Sequence, residues 1–298
     1  MNATPNNGKL YSLQRTVFTL LLAAVLASGH SFGASTFGEG TKSTPRAVGK
    51  ISGKLIINGS IPMAPMIAEI AKRFEVLHPG TQIEVHNEGS VEGLRDVREG
   101  KATVGMLTRV LTDQESYLTA YPVARDAVCI IIHKDNLVIS LTSQQIRDIY
   151  LGRITNWKNA GGSDAGIDVI HGTSGTGSVD MFLRYFRIKD DALKTGKVLR
   201  LTPDRIKAVH ANRNAIAYVS VGAAERTMKA GVPIKLLPAE GVSATSRSLR
   251  RGQFPISRPL TLITKGTQSE LTREFIRYAL SSNVNGIIEK HDFVAYRD

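Results

Sequence analysis

The residues best suited to chemistry lie in the stretch HGTSGTGS at positions 171–178. Its glycines permit a tight turn, and Ser174 and Thr176 carry hydroxyl donors. The apolar residues that follow have the spacing of one buried helical face, at Val179, Phe182, Leu183 and Phe186. Because the first N–H groups of a helix have no internal partner and lie at the positive end of its dipole, they attract anions. The stretch predicts an anion-binding helix start or, alternatively, a plain capped helix.

The stretch at 171–178 does not match the sequence patterns of known catalytic sites. Ser178 stands where a phosphate-binding P-loop needs a lysine, and Thr176 stands where the G-x-S-x-G motif ends in glycine. Asp168, His171 and Ser174 have the chemistry of a catalytic triad, but they lie in one short segment, whereas triad members usually come from distant segments. The 7 histidines show no metal-site spacing. The sequence therefore predicts a binding protein without catalytic residues, metal or cofactor.

Strands and helices alternate along the chain from residue 54 onward. Apolar, β-branched runs predict strands at 54–59, 81–89, 102–107, 127–133, 167–171, 215–221 and 259–264. Helical spacing predicts helices that begin near Pro62 and that cover 91–100, 141–152, 177–186, 203–211 and 268–281. Thr142 and Gln145 have the spacing of a capping box at the start of one of them. This alternation is typical of an α/β fold with mostly parallel sheets.

Hydroxyl-bearing residues follow four of the predicted strands. They are Ser60, Ser90, Thr108 with its neighbour Arg109, and the turn at 173–176. Ligands of open α/β sheets bind beyond the carboxyl ends of the strands, so these loops are expected to converge. Four loops of one chemical type predict a site for a small oxyanion or carboxylate.

Composition and charge limit the class of partner. The chain has 298 residues, enough for two lobes, and a formal charge of +12, which attracts anions. This charge is scattered and not interleaved with aromatic residues, so no nucleic-acid partner is expected. The single cysteine, Cys129, lies inside an apolar run and is predicted to be buried.

The first 34 residues have the pattern of a secretory signal peptide. Lys9 and Arg15 precede an apolar run at 17–27, and small residues follow it. An uncleaved membrane anchor is the alternative, but the run is short for a membrane span. Residues 35–50 are polar and aperiodic, which predicts a disordered lead-in. The segment contains no cysteine for lipid attachment, so a freely diffusing periplasmic or secreted protein is expected.

Five segments resemble, in order, the phosphate-binding proteins of bacterial ABC-type phosphate transport. They are GSIPMAP (59–65), NEGSVEG (87–93), VGMLTRVLT (104–112), LTSQQIRDIYLGRITNWKNAGG (141–162) and TSGTGS (173–178). The resemblance covers residues 53–298 and implies a two-lobed periplasmic binding protein fold with a ligand cleft between the lobes. AVCIIIH and PLTLIT resemble the two crossing hinge strands. The implied lobes are 51–130 with 256–298, and 131–255.

The resemblance also implies which residues bind the anion. Its hydroxyl and N–H donors match Ser60, Ser90, Thr108, Ser174, Gly175 and Thr176, and its charge partner matches Arg109. Ile61 and Ile170 stand where the family has a threonine and an arginine, with His171 beside the second as a partial replacement. Glu88 and Glu92 flank Ser90, where carboxylates favour an oxyanion that still carries a proton, such as monohydrogen phosphate.

The leading interpretation is an exported, monomeric binding protein, not an enzyme, that captures inorganic phosphate for an ABC-type permease. One alternative keeps the fold but changes the ligand to another oxyanion, such as sulfate or molybdate, or the role to a phosphate sensor or scavenger. The other alternative is a secreted phosphoester hydrolase. Titration with the three anions, beside a phosphatase assay, separates these hypotheses.

Overall fold

The computed structural model describes residues 51–173, 177–194 and 196–296. The predicted signal peptide and lead-in lie outside these ranges. The described strands are β1 (Gly53–Gly59), β2 (Thr81–Val85), β3 (Val104–Leu107), β4 (Leu118–His133), β5 (Asp168–His171), β6 (Lys197–Val198), β7 (Ala215–Ser220), β8 (Ile234–Leu236), β9 (Ser257–Lys265) and β10 (Val294–Ala295). The described helices are α1 (Ala64–Leu77), α2 (Ser90–Glu99), α3 (Ser143–Tyr150), α4 (Gly177–Phe186), α5 (Thr202–Ala211), α6 (Val221–Lys229), α7 (Ser246–Arg250), α8 (Glu270–Ala279) and α9 (Asn285–Lys290).

The α/β class predicted from the sequence is confirmed, but the sheet is less parallel than expected. Its strand order is β2-β1-β3-β9-β4-β7-β5-β6, and β8 and β10 both pair with β4. The parallel pairs are β1 with β2, β1 with β3, β5 with β6 and β5 with β7. Every pairing of β4 and β9 is antiparallel. These two long strands run against their neighbours, and this is the reason that the expectation of mostly parallel pairing is wrong.

Strand β4 links the two halves of the sheet. It has 16 residues, of which Leu118–Ala127 pair with β9, whereas Val128–Ile132 pair with β7. At the transition, the Val128 N–H donates to the carbonyl of Ile256 at 3.1 Å. Cys129 lies in this strand and is fully buried, as predicted.

Two large apolar cores lie on either side of this transition. One is built from residues between 127 and 256 together with Val294, and its largest side chains include Tyr150, Trp157, Phe182, Tyr218 and Phe254. The other is built from residues 51–124 and 260–295, and includes Leu55, Ile57, Met66, Phe74 and Phe275. Each fully buried side chain of this kind contributes roughly 1.5–3 kcal/mol, so each half of the sheet is packed in its own right.

Local sequence signals explain several helix starts. Thr142 Oγ1 accepts a hydrogen bond from the Gln145 N–H at 3.1 Å, and Gln145 Oε1 accepts from the Thr142 N–H at 2.9 Å, so the predicted capping box is confirmed. Ser269 caps α8 by accepting from the Thr272 N–H at 3.1 Å. Among the helices that the structure describes, none combines the length and apolarity that a membrane crossing requires.

Candidate functional site

The loops after β1, β2 and β3 meet at one end of the sheet. The Ser60 N–H donates to the Met106 carbonyl at 3.0 Å, and the Gly89 N–H donates to the Gly59 carbonyl at 2.8 Å. A Cβ on Gly59 would overlap the Met106 carbonyl oxygen, and its φ of 142° is one that few other residues adopt. The structure therefore brings together the segments that carry three predicted site residues, Ser60, Ser90 and Thr108.

Helix α2 approaches the end of β1 closely. A Cβ on Gly93 would lie only 2.5 Å from the carbonyl oxygen of Asn58 and from Cα of Gly59. Helix α2 can therefore lie directly on the backbone only because residue 93 has no side chain. This contact fixes Ser90, the first residue of α2, beside the loop that carries Ser60.

Ser60 is 1% exposed and lies just before α1. Its carbonyl accepts from the N–H groups of Met63 and Ala64, both at 3.1 Å, and its Oγ lies 3.4 Å from the Met63 nitrogen. These bonds start α1, and the hydroxyl has one long, weak contact among the residues that the structure describes.

Two glutamates occupy the start of α2. The buried Asn58 amide donates to Glu88 Oε2 at 2.8 Å and to Asp96 Oδ2 at 2.6 Å. Glu92 folds back over the first turn, because its Oε2 lies 2.6 Å from the position that a Cβ on Gly89 would take. Carboxylates are stabilised at the positive end of a helix dipole, so α2 carries its own negative charge close to Ser90.

Arg109 is paired with a carboxylate of its own loop. Its Nη1 and Nη2 donate to the two oxygens of Glu115, each at 2.7 Å, and Nη1 also donates to the Val110 carbonyl at 2.9 Å. The Arg109 guanidinium lowers the pKa of Glu115 to about 2. In this conformation the charge of Arg109 is balanced within the loop that follows β3.

Ser174, Gly175 and Thr176 lie outside the described residues, but α4 begins at Gly177, as the sequence predicts. A Cβ on Gly177 would lie 3.0 Å from Nη2 of Arg258 and 3.7 Å from Cβ of Pro62. Pro62 lies just before α1, and Arg258 lies on β9. The starts of α1 and α4, which pack on different apolar cores, therefore meet beside one guanidinium.

Sequence reasoning missed Arg258 as a site residue. Its Nε and Nη2 donate to Asp126 Oδ2 at 3.0 and 2.7 Å, and the side chains are only 19% and 7% exposed. Burial raises the pKa of Asp126, and the Arg258 guanidinium acts in the opposite direction. The two residues are cross-strand neighbours on β4 and β9, and only the strand register could have revealed their pairing.

His171 is the last residue of β5 and is buried. The ring is 3% exposed, and its Nδ1 contacts the Gly172 carbonyl and lies 3.1 Å from the Tyr218 hydroxyl. Burial lowers the pKa of His171, so the imidazole is neutral at neutral pH. Within the described ranges, no group of three or more His, Cys, Asp or Glu side chains is placed to hold a metal ion.

Comparison with known proteins identifies related chains. The model of the PBP superfamily domain matches residues 44–283. The phosphate-binding protein PstS of Bacillus subtilis is 25% identical over 293 residues, which are 95% of this chain and 95% of that protein. A structure of an ABC-type phosphate transport receptor from Vibrio cholerae superposes with a TM-score of 0.68 at 25% identity, covering 81% of this chain and 99% of that one. A phosphate ABC transporter substrate-binding protein from Clostridium perfringens, solved with bound phosphate, is 30% identical at a TM-score of 0.56, covering 82% and 100%.

Proposed function

The chain belongs to the PBP superfamily domain family, and from that premise we propose that it captures inorganic phosphate and presents it to an ABC-type permease. The resemblance read from the sequence is confirmed by relatives that are named phosphate-binding proteins and phosphate transport receptors. These relatives are binding proteins, and this chain is likewise a binding protein and not an enzyme. Export by a signal peptide over residues 1–34, and a monomeric state, are parts of the same proposal.

The observation that carries the proposal is the meeting of two helix starts beside Arg258. Both helix dipoles present their positive ends there, and the first N–H groups of α4 have no partner within the helix. Pro62 and Arg258 both lie within 4 Å of a Cβ placed on Gly177, so little separates the two starts. This is the arrangement that binds a compact oxyanion well.

We assign the two lobes to 51–130 with 256–298 and to 131–255. The two apolar cores support this division, since they draw on nearly the same two sets of residues. Strand β4 crosses from one lobe to the other, and β9 begins just after the second boundary. The ion pair of Asp126 with Arg258 lies in the first lobe, close to both boundaries.

The proposed ligands of the anion are the hydroxyl and N–H donors of the converging loops. They are Ser60, Ser90, Thr108, Ser174, Gly175 and Thr176. Arg109 and His171 have partners of their own, so we assign them to holding their loops in place: Arg109 through Glu115, and His171 through Tyr218. Glu88 and Glu92 near Ser90 favour an anion that still carries a proton, which selects monohydrogen phosphate over sulfate.

Isothermal titration of the protein without residues 1–34 tests the proposal. We expect inorganic phosphate to bind in a 1:1 ratio, and sulfate and molybdate to bind much more weakly or not at all. A parallel assay with p-nitrophenyl phosphate should show no turnover. If sulfate or molybdate binds more tightly than phosphate, that anion is the ligand and the proposed specificity is wrong. Phosphoester turnover without tight anion binding would overturn the whole proposal.

A further inference from the structure

Arg205 is a buried arginine that the site described so far does not use. It lies on α5, is 1% exposed, and is among the largest fully buried side chains. Its Nη2 lies 3.3 Å from Oγ of Ser178, the second residue of α4, and 3.2 Å from Oγ1 of Thr202. The side chain of Arg205 therefore extends from α5 to the start of α4.

The guanidinium also lies directly against Gly172, the residue after β5. A Cβ on Gly172 would overlap Nη1 of Arg205 and would lie 2.6 Å from Cγ2 of Val179. The Arg205 guanidinium can therefore lie here only because residue 172 has no side chain. The ring of Tyr218 covers another side, with its centroid 5.4 Å from Cζ of Arg205.

The positive charge of Arg205 is incompletely compensated. Its Nε and Nη1 are buried and contact no hydrogen-bond acceptor among the residues that the structure describes. The acceptors of Nη2 are neutral hydroxyls, and the face of Tyr218 offers only a weak attraction. A buried charge with unused donors is costly unless an opposite charge is present for part of the protein's working cycle.

We infer that Arg205 is the fixed counter-charge of the anion bound at the start of α4. This inference rests on the proposed function and deepens it, because it assigns the charge recognition of the site to α5. Two observations converge on it: a helix start whose first N–H groups have no partner within the helix, and a buried guanidinium with unused donors beside Gly172 and Ser178. A bound dianion would supply the compensation that the protein alone does not provide.

Arg205→Met tests the inference, with Lys207→Met as the matched control. Lys207 lies on the same helix, is exposed, and points to the other side, so its loss removes one charge without touching α4. Titration with inorganic phosphate should show roughly 10- to 100-fold weaker binding for Arg205→Met, the range for a hydrogen bond to a charged group, and unchanged binding for the control. Without phosphate, the thermal midpoint of Arg205→Met should stay level or rise, because an uncompensated buried charge is gone.

A merely structural role predicts the opposite pair of results. The thermal midpoint of Arg205→Met without phosphate would fall, and the phosphate affinity of its folded fraction would equal that of the unaltered protein. Unchanged phosphate affinity of Arg205→Met overturns the inference, whether or not the midpoint falls. Arg205→Lys keeps the positive charge but not the planar set of guanidinium donors, so it should bind phosphate with intermediate affinity. This variant replaces Arg205→Met in the titration if the methionine variant does not fold. Full phosphate affinity in Arg205→Lys together with an unfolded Arg205→Met would also overturn the inference. Absence of phosphate binding in the unaltered protein would instead refute the proposed function itself.

Discussion

Asp126 and Arg258 face each other across β4 and β9 at the point where β4 passes from one half of the sheet to the other. Two guanidinium nitrogens share one carboxylate oxygen, at 3.0 and 2.7 Å. The same guanidinium lies beside Gly177, at the start of α4. One ion pair therefore links the crossing strands to the helix start that we assign to anion binding.

Loss of one member of this pair should be costly for stability. Arg258→Met leaves Asp126 buried and unpaired, and we expect it to lower the free energy of unfolding by about 3–5 kcal/mol. Asp126→Asn combined with Arg258→Met should recover a large part of that loss, because no uncompensated charge remains. Urea unfolding of the phosphate-free protein measures both.

The exposed pair of Arg213 with Asp135 is the control for this experiment. Its nitrogen and oxygen are 3.1 Å apart, but the side chains are 74% and 36% exposed. Arg213→Met should therefore change the free energy of unfolding by less than about 1 kcal/mol. Equal effects of Arg213→Met and Arg258→Met would show that burial of the Asp126 pair does not matter.

Glu115 should give the protein a measurable acid dependence. Its pKa of about 2 in the folded protein is below the ordinary value of a glutamate, so the contribution of the Arg109 bond is fully present above that ordinary value. The contribution is lost as the pH falls toward 2. Since Arg109 is 42% exposed, we expect only about 1–2 kcal/mol after screening by solvent.

Comparison with Glu115→Gln isolates this contribution from those of the other carboxylates. The difference in free energy of unfolding between the two proteins should be largest from pH 5 to 7 and should shrink by pH 3 or below. A difference that stays constant from pH 7 to pH 2.5 would contradict the role of the Arg109–Glu115 bond.

Arg109 should matter less for phosphate than its sequence context suggests. Arg109→Ala is expected to weaken binding less than Arg205→Met does, because Glu115 already balances the Arg109 charge. Titration of both variants with inorganic phosphate measures the ratio. If Arg109→Ala were the more damaging change, the guanidinium would have to leave Glu115 and contact the anion, as the family resemblance originally implied.

Gly93→Ala should separate α2 from β1. The added Cβ would meet backbone atoms of Asn58 and Gly59 at 2.5 Å, and backbone cannot move aside as a side chain can. We expect a loss of about 1–3 kcal/mol in the free energy of unfolding, together with weaker phosphate binding through displaced Ser90. Gly286→Ala is the control, since that helical glycine has no atom within 4 Å of an added Cβ and should be neutral or slightly stabilising.

Local patterns predicted much of the fold. The bounds of α4 agree with the predicted 177–186, and the capping box of Thr142 is present, because both depend on residues near one another in sequence. The first part of β4 was not predicted, since Pro122 and polar residues interrupt its pattern; partners on β9 and β10 hold it extended. The short strands β6, β8 and β10 and the helices α6, α7 and α9 were also missed, and packing against the rest of the sheet specifies them more than their own sequence does.

The site was predictable to a lesser degree. The loops that carry Ser60, Ser90 and Thr108 were found because each follows a recognisable strand. Arg258 and Arg205 were not found, since a single arginine on a strand or helix is usually exposed and nothing local marks these two as buried. Position 170, where the resemblance implies an arginine, is a buried isoleucine, and no local pattern indicates that a guanidinium reaches this region from α5.

The order of strands in the sheet also determines when the protein can fold during its synthesis. Strand β9 is synthesised long after β3 and β4, yet it lies between them in the sheet. Until the ribosome has released β9, β3 and β4 have no common partner, and the apolar core that contains Leu260 and Phe275 lacks those side chains. Pairings so distant in sequence form slowly, because a long loop must close first. The half of the sheet that contains β1, β2, β3 and the first part of β4 therefore completes its pairing only after β9 has been synthesised.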